Sequence, residues 1–248
     1  MTRTSDNSLR QQLSGIDCVL WDLDGTLTDS IADINASMNV VLAQYGLGSV
    51  SVDDARLMVG LGAGKLLERA FDHVGGREHY NADAAYASFV EHYRDHCCVH
   101  TTLFDGVAEV LETLHQRGYK QGVCTNKPVQ MARTVVQDLG LKPYFGSIVG
   151  GDSTTRRKPD AEPVMACLAE LHSSPGKALM IGDSSADAGC AIAAGVPVVL
   201  VDWGYTSEAL DTLGANVVLS DINELPGLLS SRVEARCQPG WQPGKQCQ

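Results

Sequence analysis

Short apolar runs, each ending in a polar residue and a turn, set the hydrophobic pattern of this chain. Six runs of this kind are present: IDCVLWDLDGT, YKQGVCTNKP, GSIVGGD, KALMIGDSS, VPVVLVDWG and NVVLSD. Most of them are followed by a segment of helical length. Apolar strands that alternate with helices are typical of a parallel sheet covered on both faces. The pattern therefore predicts a doubly wound α/β core.

A long segment with helical periodicity separates the first strand from the next. Its amphipathic stretches are SIADINASMNVVLAQYG, GKLLERAFDHVGG and DAAYASFVEHYRDH, and its Gly-rich part, VGLGAGKLLERA, predicts a loop that leads into a helix. We therefore expect a Rossmann-like core over residues 1–30 and 103–232 with an inserted α-helical cap over 31–102. Residues 233–248 mix Pro, Gly and Gln without periodicity, which predicts a disordered tail.

Composition and charge narrow the class of protein. A chain of 248 residues with 44% hydrophobic content can bury a large core, and a net charge of -11 argues against binding nucleic acid. The N-terminal residues lack the apolar stretch of a signal peptide, and the most apolar later run is too short to cross a bilayer. We expect a cytoplasmic protein without a membrane partner, either a monomer or a homodimer.

Eight cysteines raise the alternatives of disulfides or a zinc site. None of them are spaced as C-x-x-C, and several lie in apolar strand or helix patterns. Cytosolic cysteine mostly behaves as a small hydrophobic residue. We therefore predict buried free thiols.

The candidate chemistry lies where the predicted strands end, because ligands gather at the carboxyl ends of parallel strands. Within WDLDGTLTDS, Asp22 and Asp24 follow the first strand two residues apart, so both carboxylates can reach one substrate. An acidic strand end that faces water is the alternative, and it would be the better explanation for D-x-D alone. The full motif favours a functional pair.

Two aspartates suit phosphoryl transfer, which needs a nucleophile, a proton donor for the leaving oxygen and positive charge around the phosphoryl group. Two carboxylates would repel a phosphate dianion unless a hard cation lies between them. Oxygen ligands favour Mg²⁺ over Zn²⁺. The expected cofactor is Mg²⁺.

A second acidic motif, MIGDSSADAGCAIAAG, places Asp183 at the end of another apolar strand and Asp187 one helical turn later. Residues four apart on a helix share a face, so Asp187 can support Asp183 at a metal. The alternative is that one of them only caps the helix. Asp183 and Asp187 are therefore candidates for a metal site.

Phosphate contacts are expected from two loops. In GVCTNKP, the hydroxyl of Thr125 and the amide of Asn126 can donate to phosphate oxygens, and in RRKPD the ammonium of Lys158 can neutralise phosphate and nucleophile. Each loop alone would be better explained as a helix cap or a solvated charge. We assign Asp22, Asp24, Thr125 and Lys158 to catalysis.

In this order, Asp22-x-Asp24, Thr125, Lys158 and Asp183 with Asp187 resemble the four signature motifs of the haloacid dehalogenase superfamily. The combination is highly specific. The resemblance implies that Asp22 attacks phosphorus, and that Asp24 protonates the leaving group and then activates water. It also implies that the metal is held by Asp22, the backbone carbonyl of Asp24 and Asp183. Asp187 would support these ligands without binding the metal directly. Thr125 and Lys158 would hold the phosphoryl group.

Weaker sequence features indicate which branch of the superfamily the chain resembles. The second acid, Asp24, favours phosphate chemistry over cleavage of a carbon–halogen bond. The early helical insertion, VGLGAGKLLERA, TNKP, the IVGGD run and the GY of DWGYTSEAL are similar to the phosphoglycolate phosphatase group. One departure is Ala186, where that group often carries Asn.

Two cations of the insertion, Lys65 and Arg69, are one helical turn apart. They are candidates for contacting a substrate carboxylate when the cap closes. The alternative is an ordinary solvated helix face.

The sequence therefore predicts a Mg²⁺-dependent phosphatase that hydrolyses a small phosphorylated metabolite, with 2-phosphoglycolate as the leading candidate. Other sugar phosphates remain open. A phosphomutase resembling β-phosphoglucomutase would use the same aspartates, and a catalytically silent binding module would keep the same fold.

Overall fold

The computed structural model describes residues 13–229, so the predicted tail at 233–248 lies outside the described residues. The strands are β1 (Cys18–Trp21), β2 (Thr28–Asp29), β3 (Thr102–Leu103), β4 (Lys120–Cys124), β5 (Ser147–Val149), β6 (Ala178–Gly182), β7 (Val198–Val201) and β8 (Val217–Leu219). The α-helices are α1 (Ile31–Gln44), α2 (Val52–Arg56), α3 (Ala63–His73), α4 (Ala82–His96), α5 (Val107–Gln116), α6 (Val129–Asp138), α7 (Glu162–Glu170), α8 (Ser185–Ala194) and α9 (Leu225–Leu228). Within residues 13–229, no helix has both the length and the apolar character needed to cross a membrane.

Six strands form one parallel sheet in the order β5-β4-β1-β6-β7-β8. Each of the six apolar runs of the sequence supplies one of these strands, and helices follow most of them. The predicted doubly wound α/β class is therefore confirmed. The first strand lies at the centre, where Cys18 is in register with Lys120 of β4 and Ala178 of β6.

The sheet is buried on both faces, as its continuous apolar strands predict. Along β1, Val19 and Trp21 belong to one hydrophobic core, whereas Cys18 and Leu20 belong to the core on the opposite face. The indole N–H of Trp21 donates to the buried Gln121 at 3.2 Å, so the polar group in this core is satisfied. The sheet is a rigid support for the residues that follow its strands.

The cysteines of the described residues are free thiols, as predicted. Cys18, Cys97, Cys124, Cys167 and Cys190 are buried and Cys98 is half-buried. Burial raises the pKa of Cys18 to about 11 and that of Cys167 to about 12. These thiols therefore act as apolar core groups. Cys237 and Cys247 lie outside the described residues.

Four helices, α1 to α4, occupy the segment for which the sequence predicted a cap. Helices α1, α3 and α4 coincide with the three amphipathic stretches, whereas the five-residue α2 was missed. A two-stranded antiparallel ribbon, β2 with β3, joins both ends of this segment to the core. Each of its strands has only two residues, too few for a period-two pattern to be recognised. That residues 31–102 form a separate cap stays a prediction.

The buried carboxylate of Asp33 ties the two ends of the helical segment together. It lies in the first turn of α1 and accepts hydrogen bonds from the backbone N–H groups of Val99, His100 and Thr101 at 2.9–3.0 Å. The hydroxyl of Thr101 adds a bond of 2.7 Å. Bonds to a charged acceptor are stronger than neutral ones. Asp33 thereby fixes the return chain beside the outgoing helix.

We expect Asp33→Asn to lower the free energy of unfolding by about 2 kcal/mol or more, because an amide cannot accept all of these bonds and leaves buried N–H groups without a partner. Urea unfolding measures the loss. The exposed Asp95, which lies 3.5 Å from Arg94, supplies the control: Asp95→Asn should change stability by less than about 0.5 kcal/mol. Equal effects of the two substitutions would contradict this role of Asp33.

Candidate active site

Three polar residues follow three neighbouring strands at one edge of the sheet. Asp22 follows β1, Thr125 follows β4 and Asp183 follows β6. Their backbones continue the strand pairing, since the N–H of Asp22 donates to Ile181 at 2.8 Å and that of Thr125 donates to Val149 at 3.0 Å. The carboxyl ends of the central strands therefore bring these predicted site residues together.

Lys158 connects this row to the acidic motif at α8. Its ammonium lies 3.0 Å from Asp22 Oδ1 and 2.6 Å from Asp187 Oδ1, and it donates to the carbonyl of Cys124 at 2.8 Å. The side chain of Lys158 is 1% exposed. A buried ammonium is stable only when it is paired and fully hydrogen-bonded. Lys158, which the sequence placed in a loop, is thus buried in the middle of the site.

Asp187 is held by its own helix as well as by Lys158. It is the third residue of α8 and forms a capping box with Ser184, whose hydroxyl donates to Asp187 Oδ2 at 2.6 Å. The backbone N–H groups of Asp183 and Ser184 donate to the same oxygen at 3.2 and 3.1 Å. Asp187 therefore caps its helix through Oδ2 and contacts Lys158 through Oδ1, so the two alternatives are compatible.

Asp183 is oriented by two separate loops. The hydroxyl of Thr26 donates to its Oδ1 at 3.3 Å, and the backbone N–H of Tyr205 donates to its Oδ2 at 2.8 Å. Gly25 packs against the same carboxylate with a φ of 87°, and a Cβ built there would lie 2.5 Å from Asp183 Oδ2. Glycine after Asp24 is therefore required by both backbone conformation and space.

Asp22, Asp183 and Asp187 bring one carboxylate oxygen each to within 4.8 Å of one another. Three carboxylates against one ammonium leave two negative charges, which match one divalent cation. An all-oxygen donor set suits a hard metal ion. These residues therefore fit a divalent metal. They are three of the four predicted ligands, and their role as ligands stays a prediction.

The metal-free cluster is electrostatically strained. Burial raises the pKa of Asp22 to about 6, Asp187 adds to the rise and Lys158 opposes it. Burial, Asp187 and Asp22 raise the pKa of Asp183 well above its ordinary value. For Lys158, burial favours the neutral form, but Asp187 and Asp22 hold its pKa well above the ordinary value. The site favours an added positive charge.

The carboxylate of Asp24 lies outside this cluster. Its Oδ1 and Oδ2 accept from the ammonium of Lys127 at 2.9 and 3.2 Å, and Oδ1 also accepts from the hydroxyl of Ser30 at 2.6 Å. Lys127 donates in addition to the hydroxyl of Tyr93 and lies 4.5 Å from the centroid of its ring. The carboxylate of Asp24 is thus paired with Lys127. The Asp24 side chain does not belong to the cluster that fits a metal.

The two polar residues after β4 differ in their surroundings. Thr125 Oγ1 accepts from the backbone N–H of Lys127 at 3.2 Å, which leaves its own hydrogen for a ligand. Asn126 directs its amide to the carbonyls of Gly60 and Lys158 at 3.0 and 3.1 Å. The amide predicted to donate to phosphate instead fastens the Gly-rich loop to the core. The buried Asn126 Oδ1 has no partner among the described residues.

A cavity of about 50 Å³ lies between these core residues and the helical segment. Its polar wall comes from Asp22, Asp24, Thr125 and Lys127, and its apolar wall comes from residues such as Ile34, Val59, Leu66 and Phe89. The loop before α3 lines the cavity with glycines at positive φ, 111° at Gly60 and 86° at Gly62. Such a pocket can enclose a small polar ligand away from water.

The structure separates the two predicted cations of α3. Lys65 is exposed and pairs with Glu68 at 2.6 Å, and it is not among the residues that line the cavity. Arg69 donates to the carbonyl of Met58 at 3.2 Å and borders an adjoining cleft of about 170 Å³ shared with Asp24 and Asp183. Only Arg69 is near the site.

Sequence reasoning missed the residues that support Asp24 and Asp183. Ser30 and Lys127 bond to Asp24, and Tyr205 bonds to Asp183, across separations of six to 103 residues. Tyr93 acts on Asp24 indirectly, through its bond to Lys127. The TNKP and GY segments were noticed, but nothing in their local pattern shows which distant side chain each one contacts. Asp202, also at a strand end, accepts a hydrogen bond from Ser220 and does not line the cavity.

Comparison with known proteins identifies relatives of the whole described chain. The family model for haloacid dehalogenase-like hydrolases matches residues 19–201. A phosphoglycolate phosphatase of Caulobacter vibrioides is 40% identical over 209 residues, which is 84% of this chain and 88% of that protein. A phosphoglycolate phosphatase of Rhodospirillum rubrum is 39% identical over 212 residues, again 84% of this chain and 88% of the relative.

The fold has solved counterparts as well. A crystal structure described as a predicted phosphoglycolate phosphatase from Haemophilus somnus superimposes with a TM-score of 0.80 at 26% identity. The match covers 86% of this chain and 98% of the other. The arrangement of sheet and helices is therefore shared along nearly the full length of that protein.

The raised pKa of Asp22 predicts how the metal-free protein responds to pH. Between 3.8 and about 6, the folded protein holds a proton that the unfolded chain has lost. Stability therefore falls as the pH rises through this window, by roughly 1–3 kcal/mol. We expect chelator-treated wild type to lose stability as the pH rises from about 4 to about 6.5, relative to Asp22→Asn, in which this group does not titrate.

Urea unfolding at each pH, with and without added magnesium chloride as the test cation, measures this difference. Magnesium should stabilise wild type more at the higher pH, where Asp22 is ionised and the cluster carries two net negative charges. Parallel pH profiles for wild type and Asp22→Asn would contradict the assignment of the strain to this carboxylate.

Proposed function

The chain belongs to the haloacid dehalogenase-like hydrolase family and is a phosphatase, and we propose that its substrate is 2-phosphoglycolate. Two curated relatives that carry the name phosphoglycolate phosphatase are 40% and 39% identical to it. The observation that carries the proposal is the small cavity, which encloses Asp22, Asp24 and Thr125 beneath an apolar wall.

The size of this cavity supports a small leaving group. The cavity has a volume of about 50 Å³ and shares Asp24 and Gly60 with the adjoining cleft of about 170 Å³. The phosphoryl group has to lie beside Asp22 and Thr125, so part of this space is already needed for it. A small leaving group such as glycolate suits a cavity of this kind better than a hexose does.

Asp22 is the proposed nucleophile. Its carboxylate follows the central strand, its Oδ1 accepts from the N–H of Leu23 at 2.8 Å and Lys158 lies 3.0 Å from the same oxygen. An oxygen of Asp22 forms a bond to phosphorus while the bond from phosphorus to the ester oxygen breaks. The hydroxyl of Thr125 is available to donate to the phosphoryl oxygens.

Asp24 is the proposed general acid and base. It gives a proton to the departing ester oxygen, so that glycolate leaves as an alcohol. In the second step, Asp24 takes a proton from water as the water oxygen attacks phosphorus, and the bond between phosphorus and Asp22 breaks. Phosphate is released and both aspartates return to their starting states.

A metal completes this site. Phosphatases of this family depend on a metal, and we propose Mg²⁺ for this chain because the available donors are all carboxylate oxygens. Asp22 and Asp183 would hold it, while Asp187 orients Asp183 and Lys158 through the bonds described above. A bound divalent cation would reduce the repulsion between these carboxylates and the phosphate dianion.

The helical segment is proposed to act as a cap. The apolar wall of the cavity comes from residues such as Leu66 and Phe89, and the cavity, which is partly open to solvent, lies between the two parts of the chain. The bond from Asn126 to Gly60 spans the same boundary. Substrate entry then requires this contact to open. Arg69 borders the adjoining cleft and stays a candidate for guiding an anionic substrate.

A phosphomutase would use the same aspartates, and nothing in residues 13–229 favours it over a hydrolase. A mutase must hold a phosphorylated sugar, instead of water, as the acceptor of the phosphoryl group. The relatives at 40% and 39% identity are named as phosphatases, which supports water as the acceptor. The silent module is disfavoured because the aspartates, Thr125 and Lys158 are assembled around one cavity.

Phosphate release from a panel of esters tests the function. With magnesium, we expect kcat/KM for 2-phosphoglycolate to exceed that for hexose phosphates by at least roughly 100-fold, because a hexose is harder to accommodate between Asp24 and the apolar wall. Excess chelator should abolish release. A flat or sugar-preferring profile would overturn the substrate but keep the chemistry.

The nucleophile is tested by Asp22→Asn. We expect kcat to fall by roughly 10⁴-fold or more, because an amide cannot form the phosphorylated intermediate. The exposed Asp138→Asn is the matched control and should keep wild-type activity. Substantial turnover by a folded Asp22→Asn variant would overturn the mechanism.

A further inference from the structure

We propose that Arg157 binds the carboxylate of the substrate at the edge of the cavity and thereby favours esters that carry one. This inference rests on the proposed function and assigns a residue to recognition of the leaving group. Arg157 directly precedes Lys158, and its guanidinium lies beside Gly62, which lines the cavity. A guanidinium binds a carboxylate through two parallel N–H donors.

The side chain of Arg157 reaches from the core to the Gly-rich loop of the helical segment. A Cβ built on Gly62 would lie only 2.8 Å from Arg157 Nη1 and 3.9 Å from its Cδ. The absence of a side chain at Gly62 therefore leaves open the space that the guanidinium occupies. The same Cβ would lie 3.8 Å from the carbonyl oxygen of Asn126, which also lines the cavity. The guanidinium is thus placed where core, loop and cavity meet.

The loop that carries Arg157 is fixed by the site itself. The ammonium of Lys158 is held by two carboxylates, and the carbonyl of Lys158 accepts from the amide of Asn126 at 3.1 Å. The backbone N–H of Asp160 donates to the carbonyl of Arg157 at 3.0 Å. The backbone from which the Arg157 side chain extends is therefore set by the contacts that hold Lys158.

The hydrogen-bond donors of Arg157 are available to a ligand. A guanidinium has five N–H donors and no acceptor. Within residues 13–229, no hydrogen bond or ion pair engages the guanidinium of Arg157, whereas the neighbouring Arg156 is paired with Asp160 at 3.1 Å. Arg157 is exposed. It can therefore bind a carboxylate without first giving up a partner in the protein.

The other cations near the cavity are already engaged. Lys127 donates to both oxygens of Asp24 and to the hydroxyl of Tyr93, which accounts for its three hydrogens. Lys158 is engaged by two carboxylates and a backbone carbonyl. Arg69 donates to a backbone carbonyl and borders the adjoining cleft. Since both lysines balance carboxylates of the site, a substrate carboxylate needs a cation of its own.

This contact affects binding more than chemistry. The phosphoryl group has to lie beside Asp22 and Thr125, so the carboxylate of 2-phosphoglycolate lies at the other end of the substrate. It takes no part in the bonds that form and break, and it keeps its charge throughout. The contact with Arg157 is therefore equally strong in the bound substrate and in the transition state, which lowers KM and leaves kcat nearly unchanged. Because Arg157 is exposed, added salt weakens the contact.

The experiment compares 2-phosphoglycolate with 2-hydroxyethyl phosphate, in which a neutral alcohol replaces the carboxylate. For wild type, kcat/KM should favour the carboxylate ester. In Arg157→Met, we expect this preference to shrink by roughly 5- to 10-fold, between the values for an exposed ion pair and for a hydrogen bond to a charged group. The loss should appear as a higher KM for 2-phosphoglycolate. Arg157→Lys keeps the charge and should retain part of the preference.

Sodium chloride and two matched variants separate this role from the alternatives. Added salt should lower the preference of wild type but not that of Arg157→Met. Arg156→Met removes the neighbouring exposed arginine and should keep the preference. Arg69→Met removes the cation of the adjoining cleft, which acts on both esters alike, and should also keep it. An unchanged preference in Arg157→Met overturns the proposal, as does an equal loss for both esters, since Arg157 would then only support the Gly-rich loop.

Inhibition by inorganic phosphate tests whether Arg157 meets the phosphoryl group instead. The inhibition constant should be the same in wild type and Arg157→Met, and a large increase in the variant would overturn the contact with the carboxylate. Because Arg157 is exposed, the variants should fold, which circular dichroism checks. Failure of the proposed function gives a different result. If wild type does not hydrolyse 2-phosphoglycolate, the substrate is wrong; if it does and Arg157→Met keeps the same preference, only the role of Arg157 is wrong.

Discussion

The buried ammonium of Lys158 is the interaction on which the site depends. It lies between Asp22, the proposed nucleophile, and the helix-capping Asp187 and is nearly inaccessible to water. Without it, three carboxylates would be buried together with no positive charge from the protein. Such a cluster would take up protons or resist folding. With it, one of the three negative charges is balanced by the protein itself, and the remaining two match one divalent cation.

The same site is joined mechanically to the helical segment. The backbone N–H of Tyr205 holds Asp183, while its hydroxyl donates to Asp29 at 2.9 Å and accepts from the N–H of Ser30 at 2.7 Å. These last two residues lie where the chain leaves the core. A change in the direction of the helical segment therefore acts on the same tyrosine that orients a metal-site carboxylate. Asp33 fixes the return of the chain in the same region.

The fold was predictable because each buried strand is a continuous apolar run and each run ends at a polar residue. The catalytic row was predictable for the same reason: Asp22, Thr125 and Asp183 need only their strands to be brought together. The contact of Lys127 with Asp24 could not be predicted, because the two residues are 103 positions apart and no local sequence pattern connects them. Lys65 shows that a local pattern can also suggest a contact that packing does not produce. Its spacing from Arg69 made it a candidate for substrate binding, but in the structure it pairs with Glu68 at the surface.

The division of labour between the two parts of the chain follows from dielectric screening. The helical segment supplies apolar groups such as Leu66 and Phe89, which exclude water, and the core supplies the charges. Charges interact more strongly when water is excluded, so closure of an apolar wall strengthens every ionic contact on the core side. A segment that placed its own charges in the cavity would have to desolvate them there. Lys127 lies on the core and is already paired with Asp24, so the helices contribute an apolar wall and a neutral polar group, the hydroxyl of Tyr93.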